Sequence, residues 1–227
     1  MDNRQGQLLA HLIEEYVATS EPVGSKLLAE KYHMQVSPAT IRNDMAALED
    51  EDYITQPHIS AGRVPTEKAY RYWIEHAETV ALEKRESALY EREMDNHAFV
   101  DSIKSMSKIL AEHADNAVVV AFSPYEFYYT GLSSLFAQPE FSDHVYTISL
   151  ASVIDHLDET LGKLAQKMSG HAVLLGKDNP FDRMCGFVGT SLTFDNQSGC
   201  IGILGPMRMH YPMNMVRMQF ISELMST

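Results

Sequence analysis

Cysteine is nearly absent from these 227 residues; Cys185 and Cys200 are the only two. Two thiols cannot build a disulfide framework or a cysteine zinc site, so a reducing cytoplasm is the expected home. No apolar run approaches the ~18–20 residues a membrane helix needs, and the opening Met1-Asp2-Asn3-Arg4 has no apolar signal core. No membrane partner is expected. Positive charge is scarce as well, with 18 Lys and Arg against 31 Asp and Glu and a net charge of −13. An acidic chain is a poor non-specific nucleic-acid binder, because phosphate is held mainly by Lys and Arg. Catalytic signatures are missing too: no G-x-S-x-G elbow, no Gly-rich phosphate loop, and no H-x-x-x-H pair among ten histidines. Neither an enzyme nor a metal or cofactor site is expected. What is present, 45% hydrophobic and 22% charged residues, is ordinary globular composition and excludes a wholly disordered chain.

The N-terminal third carries three short amphipathic segments. Leu8, Leu9, Leu12, Ile13, Tyr16 and Val17 fall at helical spacing, and the stretch from Ser20 to Gly24 breaks that helix. Ser25 is placed to cap a second one, with Leu27, Leu28 and Tyr32 inward. The third start is the best signalled: Ser37 at the N-cap, Pro38 at the first helical position, and no breaker from Ala39 to Leu48. Ile41, Met45 and Leu48 form its core face, and Ala39, Arg42, Asn43 and Ala46 lie beside them. Tyr53 to Gln56 reads as a strand ending at Pro57. His58 to Arg63 reads as a flexible tip, Val64-Pro65 as a short return, and Thr66 as the cap of a further helix. Three helices followed by a β-ribbon is the order of a winged helix-turn-helix.

That order gives the third helix a chemistry. Arg pairs bidentately with guanine and Asn with adenine in the major groove, so Arg42 and Asn43 are the candidate base readers. Ala39 permits close approach, while Ser37 and Thr40 sit where hydroxyls and helix N-terminal N–H groups hold phosphate. Ser60, Gly62 and Arg63 put small residues and one guanidinium on the ribbon, suited to the DNA backbone or minor groove. Taken alone, the helix reads equally as a capped surface helix and the ribbon as a plain hairpin; their succession favours DNA. Residues 1–76 hold seven basic residues against twelve acidic ones, a net of −5. Binding per monomer should be modest and should depend on base readout and dimerisation.

From 77 to about 115 the chain reads as a charge-rich, solvated connector helix and then a packing helix with Val100, Ile103, Met106, Ile109 and Leu110. A coiled coil is the alternative, although the heptads do not sustain themselves. Residues 116–227 alternate strand and helix. Strands are expected at Ala117 to Phe122, Phe127 to Thr130, His171 to Gly176, Met184 to Phe194 and Cys200 to Leu204. The last two flank a turn over Asp195 to Gly199, and helices are expected at Val153 to Met168 and Pro212 to Met225. Gly186 and Gly189 mark a bulge or close packing, Arg208 a structural salt bridge or an interface, and the thirteen methionines mostly core. The fold class is α+β in three parts: a winged helix at 1–76, a helical connector at 77–115 and a sheet domain at 116–227.

Several runs together resemble the heat-inducible transcription repressor (HrcA) family. They are EPVGSK at 21–26, ATIRNDM at 39–45, QPH at 56–58 and SAGR at 60–63, followed by YTGL at 129–132, QPEF at 138–141 and GPMRMHY at 205–211. The resemblance implies a GAF-like domain over 116–227 and adds Lys26 to the DNA-binding candidates. It further implies a homodimeric repressor of chaperone genes in the bacterial cytoplasm. Such a repressor binds double-stranded DNA at an inverted repeat (the CIRCE element) and is supported by a GroEL-type chaperonin. The alternative is a small-molecule-sensing regulator with its ligand in the GAF-like domain. The chain departs from the family pattern at Asp52, Ile59 (often Thr in the family), Ala69, Met207 and His210, and it is shorter than typical members between roughly 142 and 200.

Overall fold

Asp2 accepts the backbone N–H of Gln5 while the Gln5 side chain accepts the N–H of Asp2, a capping box that starts α1 (Asn3–Thr19) in the computed structural model. The structure describes residues 1–33, 36–78, 80–96, 98–123 and 125–226; residues 79 and 97, within the expected connector, lie outside them. The chain forms two units, residues 1–78 and 79–227.

In the first unit α1 buries Leu8, Leu9, Leu12 and Ile13 and ends at Ser20, whose φ of 61° is left-handed. Next comes α2 (Ser25–Lys31), with Gly24 rather than Ser25 at its N-cap position and no side-chain cap bond. Leu28 is fully buried, but Leu27, one residue and 100° round the helix, is 42% exposed. In α3 (Pro38–Asp50) the Ser37 hydroxyl accepts the N–H of Thr40 and Ile41, Met45 and Leu48 are buried, as the cap and periodicity predict. The ribbon is shorter than expected. Only β1 (Ile54–Thr55) and β2 (Val64–Pro65) pair, antiparallel, between a left-handed Asp52 on one side and Pro57 on the other. Thr66 caps α4 (Glu67–His76), which buries Ala69, Tyr70 and Trp73.

The second unit begins with α5 (Lys84–Asn96) and α6 (Phe99–Ala114). Its sheet is antiparallel, in the order β4-β3-β7-β6-β5. The strands are β3 (Ala117–Ser123), β4 (Glu126–Thr130), β5 (His171–Leu175), β6 (Cys185–Phe194) and β7 (Gln197–Pro206). Ala117 to Phe122 are all buried because the sheet is covered on both faces. Ala117, Val119 and Ala121 pack toward Leu135 of α7 (Leu132–Ala137), Leu150 of α8 (His144–Asp155) and Leu161 of α9 (Leu157–Lys167). Phe122, one residue out of that phase, meets Phe194, which stacks on Phe99 of α6. The closing helix, α10 (Tyr211–Met225), packs on β6.

Three sequence expectations are revised here. The helix expected from Val153 to Met168 is two helices, broken at His156. The β6–β7 turn is two residues, not five, because Asp195 and Asn196 both take positive φ, 47° and 61°, which Asp and Asn tolerate and a two-residue hairpin favours. The charge-rich segment after residue 77 is not wholly solvated, since Glu86 of α5 is buried beneath Arg217 of α10. Arg208 forms the structural salt bridge expected of it, donating to Glu140 at 2.6 Å and to Gln138 at 2.8 Å.

Candidate nucleic-acid interface

The geometry of α3 follows from its two faces. Ile41, Met45 and Leu48 are drawn into the core, which turns Ser37, Ala39, Arg42, Asn43 and Ala46 outward; all five are exposed and Thr40 is half-buried. Capping leaves the N-terminus well formed, with the Ser37 and Thr40 hydroxyls 3.0 Å apart. Asp44 shares the helix but not this face. It is buried and receives a bidentate pair from Arg4 of α1, at 2.8 and 2.9 Å. That bond pins α3 to α1 and removes a carboxylate from beside the exposed residues.

The other basic residues of the unit are committed in the same way. Lys31 is bonded to the buried Glu15, which also accepts the Tyr32 hydroxyl at 3.2 Å. Burial first, and then the Glu15 charge, push the Tyr32 phenol up to about 12. Lys68 donates to the Glu51 carbonyl at 2.7 Å and lies 4.2 Å from the centre of the Tyr53 ring. Arg71 is paired with Glu67, and Lys26 lies 3.9 Å from Glu30 on the exposed side of α2. Arg63 donates to Glu49 at 2.9 Å. Of the seven basic residues, Arg42 alone has no hydrogen-bond or ion-pair partner among the described residues, and the same holds for Asn43.

The ribbon residues divide. Ser60 is exposed at the tip, with φ 70°. Gly62 and Arg63 sit at the base instead. A Cβ on Gly62 would stand 2.5 Å from the Pro22 carbonyl carbon and oxygen, so only glycine lets the ribbon lie against the α1–α2 link. Next to it, Arg63 exchanges two backbone hydrogen bonds of 2.9 Å with Val23. The Arg63 side chain is turned to the last turn of α3, where Glu49 would otherwise crowd four consecutive acids at a helix C-terminus. Thus Ser37, Ala39, Thr40, Arg42 and Asn43 form one patch, while Lys26, Ser60, Gly62 and Arg63 lie on other elements. Sequence reading missed Asp44 and Glu49 as the partners that hold Arg4 and Arg63. Their only signal is an acid on a polar or terminal helix position, which does not name a partner.

Outside this patch, a pocket of about 450 Å³ opens beside α9, with Lys163, Lys167, Leu174 and Asp178 in its lining. Lys163 is already paired with Glu159 at 2.6 Å. No described helix is long and apolar enough to cross a membrane.

Comparison with known proteins bears on the whole chain. It is 44% identical over 124 residues to the heat-inducible transcription repressor HrcA of Acidothermus cellulolyticus, covering 54% of this chain and 37% of that protein. It is 58% identical over 87 residues to the repressor of the same name from Bifidobacterium animalis subsp. lactis, covering 37% of this chain and 24% of that protein. The matches therefore span about a third or less of the length of these curated relatives. A crystal structure of a hypothetical protein is similar over 100% of this chain and 98% of its own, with a TM-score of 0.76 at 17% identity, a likeness of fold alone. The family model described as the HrcA protein C terminal domain matches residues 40–215, and on that match this chain belongs to the HrcA family.

Proposed function

We propose that the chain is a sequence-specific, DNA-binding transcriptional repressor of heat-shock genes. In this reading the first unit is a winged helix-turn-helix, with α3 as recognition helix and the β1–β2 ribbon as wing. The second is a GAF-like domain serving dimerisation or regulation. The observation that carries the proposal is Arg42, without a partner among the described residues, beside Asn43 on an exposed, capped helix, in a unit whose other arginines are each bonded to an acid. A guanidinium left free amid thirteen carboxylates is available for an outside acceptor, and Arg beside Asn suits guanine and adenine edges. Ser37, Ala39 and Thr40 flank it and suit a phosphate contact. Lys26 and Ser60 would meet backbone, while Gly62 and Arg63 would act by holding the wing in place. The curated relatives are named as heat-inducible transcription repressors, which supports the same class for this chain.

So little free positive charge makes a single copy a weak binder. Two copies on one inverted repeat raise apparent affinity by ~10²–10⁴ without new contacts. A homodimer on a CIRCE-like operator in the cytoplasm, supported by a GroEL-type chaperonin, is the full form of the proposal. The test is selection from a random duplex library with the intact chain, followed by titration of the recovered duplex. An inverted repeat is expected, and Arg42→Ala should weaken binding to it by ~1–3 kcal/mol while leaving random duplex nearly unaffected. Equal loss on both duplexes would make Arg42 a phosphate contact, and recovery of no duplex would end the proposal.

A further inference from the structure

We propose that Ile59 is an apolar wedge that enters the minor groove of bound DNA and unstacks a base step there; this rests on the DNA-binding reading above. Ile59 is 93% exposed, more than any other large apolar side chain among the described residues. It does not hang from a slack loop. The N–H of Ala61 donates to the His58 carbonyl at 3.0 Å, closing a four-residue turn with Ile59 at its second position. Ser60 takes the third position at φ 70°, the pattern of a type II turn. The Gln56 amide donates to the Ala61 carbonyl at 2.9 Å, and the base is clamped by the Gly62 approach and the Val23–Arg63 bridge. A non-glycine residue held left-handed at a well-braced tip is a feature that binding sites use.

The electrostatics of the ribbon point the same way. The first unit carries thirteen acids, yet none lies between Tyr53 and Thr66. Among the described residues nothing accepts from the N–H of Ile59 or Ser60, so the tip offers two free donors to phosphate around an apolar point. Isoleucine is branched at Cβ and stiff at χ1, so little side-chain freedom is lost on insertion. Wedges of this kind part flexible pyrimidine–purine steps from the minor-groove side.

The experiment uses the intact chain and the duplex recovered by selection, with 2-aminopurine placed at successive steps. Wild type should brighten one step in each half-site. Ile59→Ser should abolish that signal and weaken binding about tenfold, the scale of burying one such side chain. The slope of log K against log salt should not change, because no ion is displaced by an apolar group. Ile59→Leu should keep both the signal and the affinity. Full affinity in Ile59→Ser, or a loss accompanied by a shallower salt slope, would overturn the wedge. If Arg42→Ala still weakens binding to the recovered duplex and not to random duplex in that case, the DNA reading stands without it. A library that yields no duplex sinks both.

Discussion

Arg42 of the first unit and Arg217 of the second show two different uses of a guanidinium. In the first unit Arg42 projects from an exposed helix face with no partner among the described residues. In the second, Arg217 is buried; it donates to Glu86 at 2.8 Å and to Asn214 at 3.0 Å, and Glu86 also accepts the hydroxyl of the buried Tyr90. Arg208 repeats the pattern with Glu140 and Gln138. Arg217 thus ties α10 to α5 from within and the half-buried Arg208 ties the β7–α10 link to Glu140, whereas in the first unit Arg4 and Lys31 pair with the buried Asp44 and Glu15 and Arg42 has no partner among the described residues. An exposed, unpaired cation contributes little to stability and is open to an outside acceptor; a buried, paired one is costly to remove because its partner is left charged in the interior.

The largest expected effect tests that contrast directly. Arg217→Met strands Glu86 in the interior and should cost the second unit ~3–5 kcal/mol, read by urea unfolding. Arg42→Met, at an exposed site, should change stability by less than ~0.5 kcal/mol. Equal costs would erase the distinction between the two arginines.

A middle-sized effect belongs to the ribbon. Gly62→Ala drives a Cβ into the Pro22 backbone at 2.5 Å, and relief of such overpacking costs ~1–3 kcal/mol. The single tryptophan, Trp73, is buried in this unit, so its fluorescence reports the first unit's thermal midpoint. A midpoint equal to wild type would mean that the α1–α2 link yields at no cost.

A further contrast separates the units by pH. Burial pushes the Cys185 and Cys200 thiols of the second unit up from an ordinary value of 9 to about 12. Unfolded thiols ionise first, so this contribution is whole below pH 9 and fades as pH rises toward 12. For Tyr32 in the first unit the fading starts near pH 10 instead. Midpoints of the two units followed from pH 8 to 12 should show the second declining first. At pH 8 neither thiol should react with Ellman's reagent until the sheet unfolds; rapid reaction in the folded chain would contradict their burial.

Legibility in the sequence tracked the range of the interaction. The start of α3 was readable because the Ser37 cap, Pro38 and the Ile41–Met45–Leu48 spacing all act within two or three turns. The paired acids were not readable. Asp44 looks like a solvent-facing polar residue until Arg4, forty positions earlier, reaches it, and Glu86 looks like one more charge in a charge-rich run until Arg217 covers it. Gly62 illustrates the same limit. On a ribbon it reads as a DNA contact, whereas its need for glycine comes from the backbone of Pro22. At the β6–β7 turn, Gly199 suggested a longer loop, but Asp195 and Asn196 turn the chain by themselves and Gly199 joins the strand, paired with Leu192.

α7 and most of α8 were not legible in the sequence, which by itself determined the first three helices, the strands of the second unit, the exposed face of α3 with Arg42 and Asn43, and the likeness to one repressor family. Each of these rests on caps, periodicity and short runs, all of which are local along the chain. Tertiary structure decided which charges are spent and which remain available. Ion pairing depends on distances in space, and here the pairs that matter join residues 40 and 131 positions apart. Within the first unit, pairs such as Arg4–Asp44 leave Arg42 without a partner among the described residues, and the ribbon, docked on Pro22 and Val23, holds Ile59 exposed.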